Sequence, residues 1–212
     1  MKNIMRCVMC VFIIVSISGC SYQLALTPES RAKIHTVSVE PVVTRPDAFV
    51  YDGGTVAGNA AAGSFGLVGL LVKRVAEAPD YDAISNAMTK GNINLNAMLY
   101  ESFKKALVNQ TDFKITQSSV KDAEFKVDIC EYGILNRPLN QYGALPFIKV
   151  TGSLTNKEGK IFWQLTQTVT FEAPDNVHYK LEDFTQNPDL LAKAFRQIVN
   201  QAVDNLVSNL NN

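Results

Sequence analysis

The chain's stock of nucleophiles, metal ligands and proton carriers is four cysteines, two histidines and 20 acidic side chains. Cys7 and Cys10 form a C-x-x-C, the spacing of a redox pair or of half a zinc site. Both lie in the apolar run 7–17, after the basic Lys2 and Arg6 and before the small residues Ser18 and Gly19. That three-part layout is a secretory leader, removed on export, so the C-x-x-C carries no mature chemistry. Cys130 sits in Phe125-Lys-Val-Asp-Ile-Cys-Glu-Tyr132, an alternating strand pattern, where a buried structural thiol is expected rather than a nucleophile. His35 and His178 lack a His or Cys four positions on, so no zinc motif forms, and no Gly-x-Ser-x-Gly is present. Asp122, Glu124, Asp128 and Glu131 crowd one segment. Asp128 and Glu131, three apart on a strand, are expected on opposite faces. A carboxylate pair would have to assemble from distant residues. Glu182-Asp183 reads as solvated loop charge. The stretch from Gly58 to Gly63-Ser64 has the glycine spacing of a phosphate loop, but Ser64 stands where the lysine should be. No catalytic set, metal or cofactor is expected.

Cys20 is the exception. Ile17-Ser18-Gly19-Cys20 closes the leader, and it resembles the lipobox of bacterial lipoproteins. The resemblance implies cleavage between Gly19 and Cys20, with acylation of the Cys20 thiol. Two or three acyl chains hold a protein firmly to a bilayer without a spanning helix. The apolar run is itself shorter than the roughly 20 residues a span needs. Ser21 after the cysteine implies the outer membrane, the inner membrane being the alternative. The expected organisation is a removed signal peptide 1–19, a lipidated tether 20–32 and one periplasmic domain 33–212. With Lys2 and Arg6 removed from 20 basic residues, 18 face 20 acids, a net charge near −2. Nucleic acid, which wants a basic face, is excluded as a partner. With Cys20 acylated, Cys130 has no intramolecular disulfide partner.

The elements that would carry this anchor follow from periodicity. Residues 34–43 read as a strand, with Val37 and Val39 alternating against Ser38 and Glu40; Pro41 and Pro46 suggest an edge or exit. Residues 44–52 read as a loop. Residues 53–72 contain no charged side chain, and Gly54, Gly58, Ala62 and Gly66 recur every four. On a helix they form a small-residue face that admits another backbone. The stretch resembles the glycine zippers of bacterial envelope proteins. A docked helix or loop, a membrane contact and a self-association element all remain open for it. The basic pair Lys73-Arg74 follows. Pro79-Asp80 reads as a break, then Leu95, Met98, Leu99, Phe103, Ala106 and Leu107 mark an amphipathic helix capped by Asn94, with a start as early as Ala83 considered. Strands are expected at 113–117 and 125–132. A hairpin is expected over 147–171, turning at Asn156-Lys157-Glu158-Gly159, with Trp163 in the core. The last helix opens with Asn187 as cap, Pro188 and Asp189. Its apolar face is broad: Leu191, Phe195, Ile198, Ala202, Asn205, Leu206 and Leu210. That width implies burial on more than one side, or a partner.

The expected fold is α+β: an antiparallel sheet of about 4–5 strands, two amphipathic helices on one face, and a Gly/Ala-rich insert. It loosely resembles the small periplasmic lipoproteins of secretion and lipopolysaccharide-assembly machines. The expected function is a membrane-anchored, non-enzymatic accessory or assembly component of the cell envelope, working through a protein partner or self-association. The alternatives are binding of lipid or another apolar ligand, and an envelope enzyme.

Overall fold

Phe125, Val127 and Ile129 alternate with polar neighbours, and all three are fully buried. They belong to β5 (Ala123–Arg137), the strand on which the rest of the sheet is built. We analysed a computed structural model that describes residues 23–45, 48–52, 79–137, 143–173 and 177–211. The leader with Gly19 and Cys20, Ser21, the stretch 53–72 with Gly54, Gly58, Ala62 and Gly66, Lys73-Arg74, Pro46, Pro138 and Asn212 lie outside the described residues.

In chain order the described elements are α1 (Pro28–Arg31), β1 (Thr36–Val39), β2 (Val43–Thr44), β3 (Phe49–Asp52), α2 (Pro79–Lys90), α3 (Leu95–Gln110), β4 (Lys114–Ile115), β5, β6 (Gly143–Thr155), β7 (Ile161–Thr170), α4 (Leu181–Gln186) and α5 (Pro188–Leu210). The sheet order is β4-β1-β5-β6-β7, with β2 and β3 also on β5. β5, β6 and β7 form the expected antiparallel meander. The other half departs from expectation. β1, β2 and β3 all run parallel to β5, so the sheet is mixed. The crossover that parallel pairing requires is supplied by α2 and α3. The three short strands are one interrupted strand. Val37 faces Ala123, Val43 faces Asp128 and Phe49 faces Tyr132, so one and then two extra residues bulge out of the pairing. Pro41, which has no N–H to give, falls at the first interruption. The segment 44–52, expected as loop, contains β3.

The helices form a layer on one side of the sheet. Asn94 caps α3, its side chain accepting from the Ala97 N–H at 3.0 Å. Leu95, Leu99, Phe103, Ala106 and Leu107 are buried, and Phe103 meets Phe125 edge-on at 5.5 Å. The helix does not extend back to Ala83. Pro79-Asp80, expected as a break, opens the separate helix α2, with Asp80 and Asp82 in its first turn. Asn92, in the left-handed region at φ 49°, ends the turn between the two. In α5 Asn187 accepts from the Leu190 N–H at 3.1 Å. Leu191, Phe195, Ile198, Ala202, Leu206 and Leu210 are buried, and Ala194, Val199 and Val203 with them. Asn205 is exposed, off the face assigned to it. The broad face is used within the chain: α5 packs on β6 and β7 with one side and on α3 with the other. Trp163 is fully buried, its Nε1–H donating to Asn209 Oδ1 of α5 at 2.9 Å. Gly152, across from it, leaves room for the indole; a Cβ there would stand 2.7 Å from the Trp163 ring. The hairpin turns where expected, with Gly159 at φ +79°.

Candidate functional site

The stretch just after Cys20 is fastened to the fold. Leu24 makes a single antiparallel bridge to Gln164 of β7, with N–H to O distances of 2.8 and 3.0 Å in the two directions. Leu26 is buried. Thr27 caps α1 by accepting from the Ser30 N–H at 3.2 Å. Arg31 then ties α1 to the far end of α5, donating to the Leu210 carbonyl at 2.7 Å and stacking over Phe113. Three residues separate Cys20 from Leu24, so covalent geometry keeps the Cys20 Cα within about 14 Å of the Leu24 Cα. No described helix is long and apolar enough to cross a membrane.

The sheet face away from the helices carries Lys126, Asp128, Glu131 and Lys149. Asp128 faces Thr151, and Glu131 faces Lys149 two residues along the same strand. The two acids therefore share a face, contrary to the alternation expected from their spacing. Cys130 is the cause: the register slips between Ile129 and Glu131, and Cys130 is the extra residue of a β-bulge. Each acid has its own lysine, Lys126 at 3.6 Å for Asp128 and Lys149 at 3.4 Å for Glu131. Cys130 is buried, as expected, and its Sγ lies 3.3 Å from the Thr151 hydroxyl, which in turn contacts Thr166 at 2.8 Å.

A carboxylate pair does assemble from distant residues. Glu40 and Glu124 stand close enough to act on each other's ionisation, the Ser38 hydroxyl donates to Glu124 Oε1 at 2.9 Å, and Lys121 bonds Glu124 and donates to Ser38 Oγ at 2.7 Å. Desolvation, then the Glu124 hydrogen bond and charge, raises the Glu40 carboxyl above its ordinary value. The Lys121 hydrogen bond holds Glu124 below its own. The pairing was unreadable because it needs Ser38 beside Glu124 in the parallel register. The group lies on the open polar face and outside the two clefts described next. Asp122, at the start of β5, serves the fold: its carboxylate accepts from the His35 and Thr36 N–H groups at 2.9 and 2.8 Å. Asp183, expected as loop charge, lies in α4 and accepts from the Lys180 N–H at 2.7 Å.

Two clefts open at opposite ends of β7. One, of about 390 Å³, is lined by apolar residues such as Leu145, Phe171 and Val177 together with the polar Thr170, Glu172 and His178. Gly143, at φ +60°, lets the backbone pass the Tyr179 carbonyl, which a Cβ would approach to 2.3 Å. The Ala144 N–H donates to that carbonyl at 2.8 Å. The other, of about 410 Å³, lies between α1 and the hairpin turn, with Lys33, Lys160 and Phe162 in its walls. No cluster of three metal-ligating side chains occurs among the described residues.

The polar sheet face and the fastened N-terminal stretch belong to a mixed α+β domain with helices on one side. No family model matches the chain, and no curated protein matches it either. Among solved structures it is similar to a DUF330-family protein from Xanthomonas campestris, at 14% identity and TM-score 0.44 over 82% of this chain and 81% of that one. It is similar to a lipoprotein from Neisseria meningitidis at 16% identity and TM-score 0.29, covering 78% and 99%. A minor lipoprotein from Acinetobacter baumannii is similar at 10% identity and TM-score 0.35, covering 82% and 91%. Similarity at this level says nothing of function.

Proposed function

We propose that this is a bacterial lipoprotein, held at a membrane by acylated Cys20, that serves the cell envelope as a non-enzymatic accessory or assembly component through protein contacts. The observation that carries the reading is Ile17-Ser18-Gly19-Cys20 at the end of a basic-then-apolar leader. The attachment of Leu24 to β7 supports it, because so short a connection keeps the folded domain beside its anchor. Ser21 supports the outer membrane as the destination, against the inner membrane. The partner is a protein of the envelope or a second copy of the chain, with residues 53–72 as the sequence best suited to that contact.

The test is envelope fractionation and pull-down with wild type and Cys20→Ala. Wild type should sediment with membranes and carry a lipid mass on its N-terminal peptide. Cys20→Ala should move to the soluble fraction and lose whatever partner depends on tethering. A Cys20→Ala chain as tightly membrane-bound as wild type would overturn lipidation as the attachment.

A further inference from the structure

We propose that the outer edge of β7 pairs with the β7 edge of a second copy of the chain, antiparallel across a two-fold axis at Thr168, so that two sheets join into one. This deepens the assembly reading above, on which it rests for a self-contact, and it does not need Cys20 to be acylated.

The two edges of the sheet are built differently. The edge opposite β7 is made of β4, β2 and β3, which are two, two and four residues long. Pro41 and Arg45 interrupt it. Short strands, proline and charge all keep a sheet edge from pairing with another chain. β7 has none of these. It runs for ten residues and pairs with β6 without a register shift from Trp163 to Thr170. From Ile161 to Phe171 it holds no charged residue and no proline.

The backbone fixes which groups face outward. Gln164 exchanges both backbone hydrogen bonds with Leu24, at 2.8 and 3.0 Å, on the side away from β6. At the other end the Phe171 N–H donates inward, to the Pro146 carbonyl at 2.7 Å. Inward and outward residues alternate along a strand, so Thr166, Thr168 and Thr170 turn N–H and C=O outward. These backbone groups meet no hydrogen-bond partner among the described residues, and Thr168 is exposed. Leu24 also sets the register. It occupies Gln164, which leaves Thr166 to Thr170 for a second strand. A symmetric pairing of that stretch puts Thr168 opposite its own copy and Thr166 opposite Thr170. Each such pair exchanges two hydrogen bonds, about six in all.

The side chains suit a copy of themselves. On the open face threonine meets threonine, a favourable cross-strand pair. On the helix face Gln167 meets Val169. The flank of α5 beside β7 is neutral too. It is marked by Asn209, which accepts from Trp163, and by Gln197, whose Nε2 donates to the Glu172 carbonyl at 3.1 Å. Gln201, Asn205 and Ser208 continue the Gln197 row at helical spacing, and all are exposed. Asn200 and Asp204 turn the other way, to Ser102 and Gln110 of α3. Both layers of the contact are therefore uncharged, which favours a second copy over a charged partner strand.

The experiment uses the full mature chain in mild detergent, with acylation read from the mass of the N-terminal peptide. Thr168→Cys under mild oxidation should give a disulfide-linked dimer, because facing Cα atoms about 5.5 Å apart lie within disulfide reach. Wild type, whose Cys130 is buried, and Glu158→Cys on the hairpin turn should give none. Thr168→Lys places two ammonium groups opposite each other and should weaken the dimer several-fold in sedimentation, with the circular dichroism unchanged. A monomeric wild type with no link at position 168 overturns the proposal, as does a dimer that Thr168→Lys leaves intact. A Thr168→Cys link to a different polypeptide overturns it by making the edge another protein's site. A monomer whose Thr166 and Thr168 amides resist hydrogen exchange overturns it by placing the chain's own residues before Leu24 on the edge. A dimer linked at 168 but without acyl mass leaves this contact standing and overturns the lipoprotein reading; an acylated monomer does the reverse.

Discussion

Asp122 shows how much of this fold is pinned by single polar groups. Its carboxylate takes the Thr36 and His35 N–H groups and, at 2.9 Å, the Thr36 hydroxyl, locking β1 to the start of β5. Those hydrogen bonds, Thr36 first, hold its carboxyl below the ordinary 3.8. A carboxyl with a lowered folded pKa stabilises fully above its unfolded value and loses that contribution as pH falls through the folded one. Asp122→Asn should therefore cost up to about 1 kcal/mol at neutral pH, limited by solvent screening. The gap to wild type should narrow as pH falls below the ordinary aspartate range and through the lowered folded value, as read by urea titration at each pH; a gap independent of pH would refute the assignment. Gly152 and Trp163 form a second residue-scale lock. Gly152→Ala forces a methyl against the indole and should cost about 1–3 kcal/mol. In a Trp163→Phe background, which removes the ring atoms that collide, the same substitution should cost clearly less, and strict additivity in urea would show that the two do not couple.

At the scale of elements, Asn187 tests the best-marked helix start. Asn187→Ala removes the acceptor for the Leu190 N–H and should lower stability by about 1 kcal/mol, measured as a shift in urea midpoint at constant slope. An unchanged midpoint would mean that α5 is held by packing alone. This helix was legible because cap, Pro188 and Asp189 agree with the apolar period that follows. α2 carries a similar signal in Pro79, Asp80 and Asp82, yet proline followed by polar residues also marks a break, and only packing decides between them. β3 was illegible for a different reason. Its four residues are too few for a period, and they are strand because β5 is long enough to take a third partner. The bulge at Cys130 had no local signature either. It moves Asp128 and Glu131 onto one face without altering the alternation on either side.

For the whole molecule, the meander and the helical layer were readable, while the parallel half was not. Antiparallel neighbours announce themselves by a short turn such as Asn156–Gly159. Parallel neighbours are set by a crossover whose handover lies far away in sequence, here from Asp52 through α2 and α3 to β5. The Glu40–Glu124 pair was hidden for the same reason. The crossover has a consequence for residues 53–72. Their junctions meet at the Tyr51–Asp80 hydrogen bond, so the fold itself does not need a long connection there. Deleting residues 54–72 should leave the thermal midpoint nearly unchanged, since shortening the connection nearly fourfold alters closure by only about 1 kcal/mol. If this stretch carries the self-association or partner contact, the same deletion should reduce the size of the complex extracted in mild detergent, read by light scattering, with Cys20 still acylated. A monomer of the same size before and after would remove the assembly role. A collapse in thermal midpoint would place the stretch in the domain's own core instead.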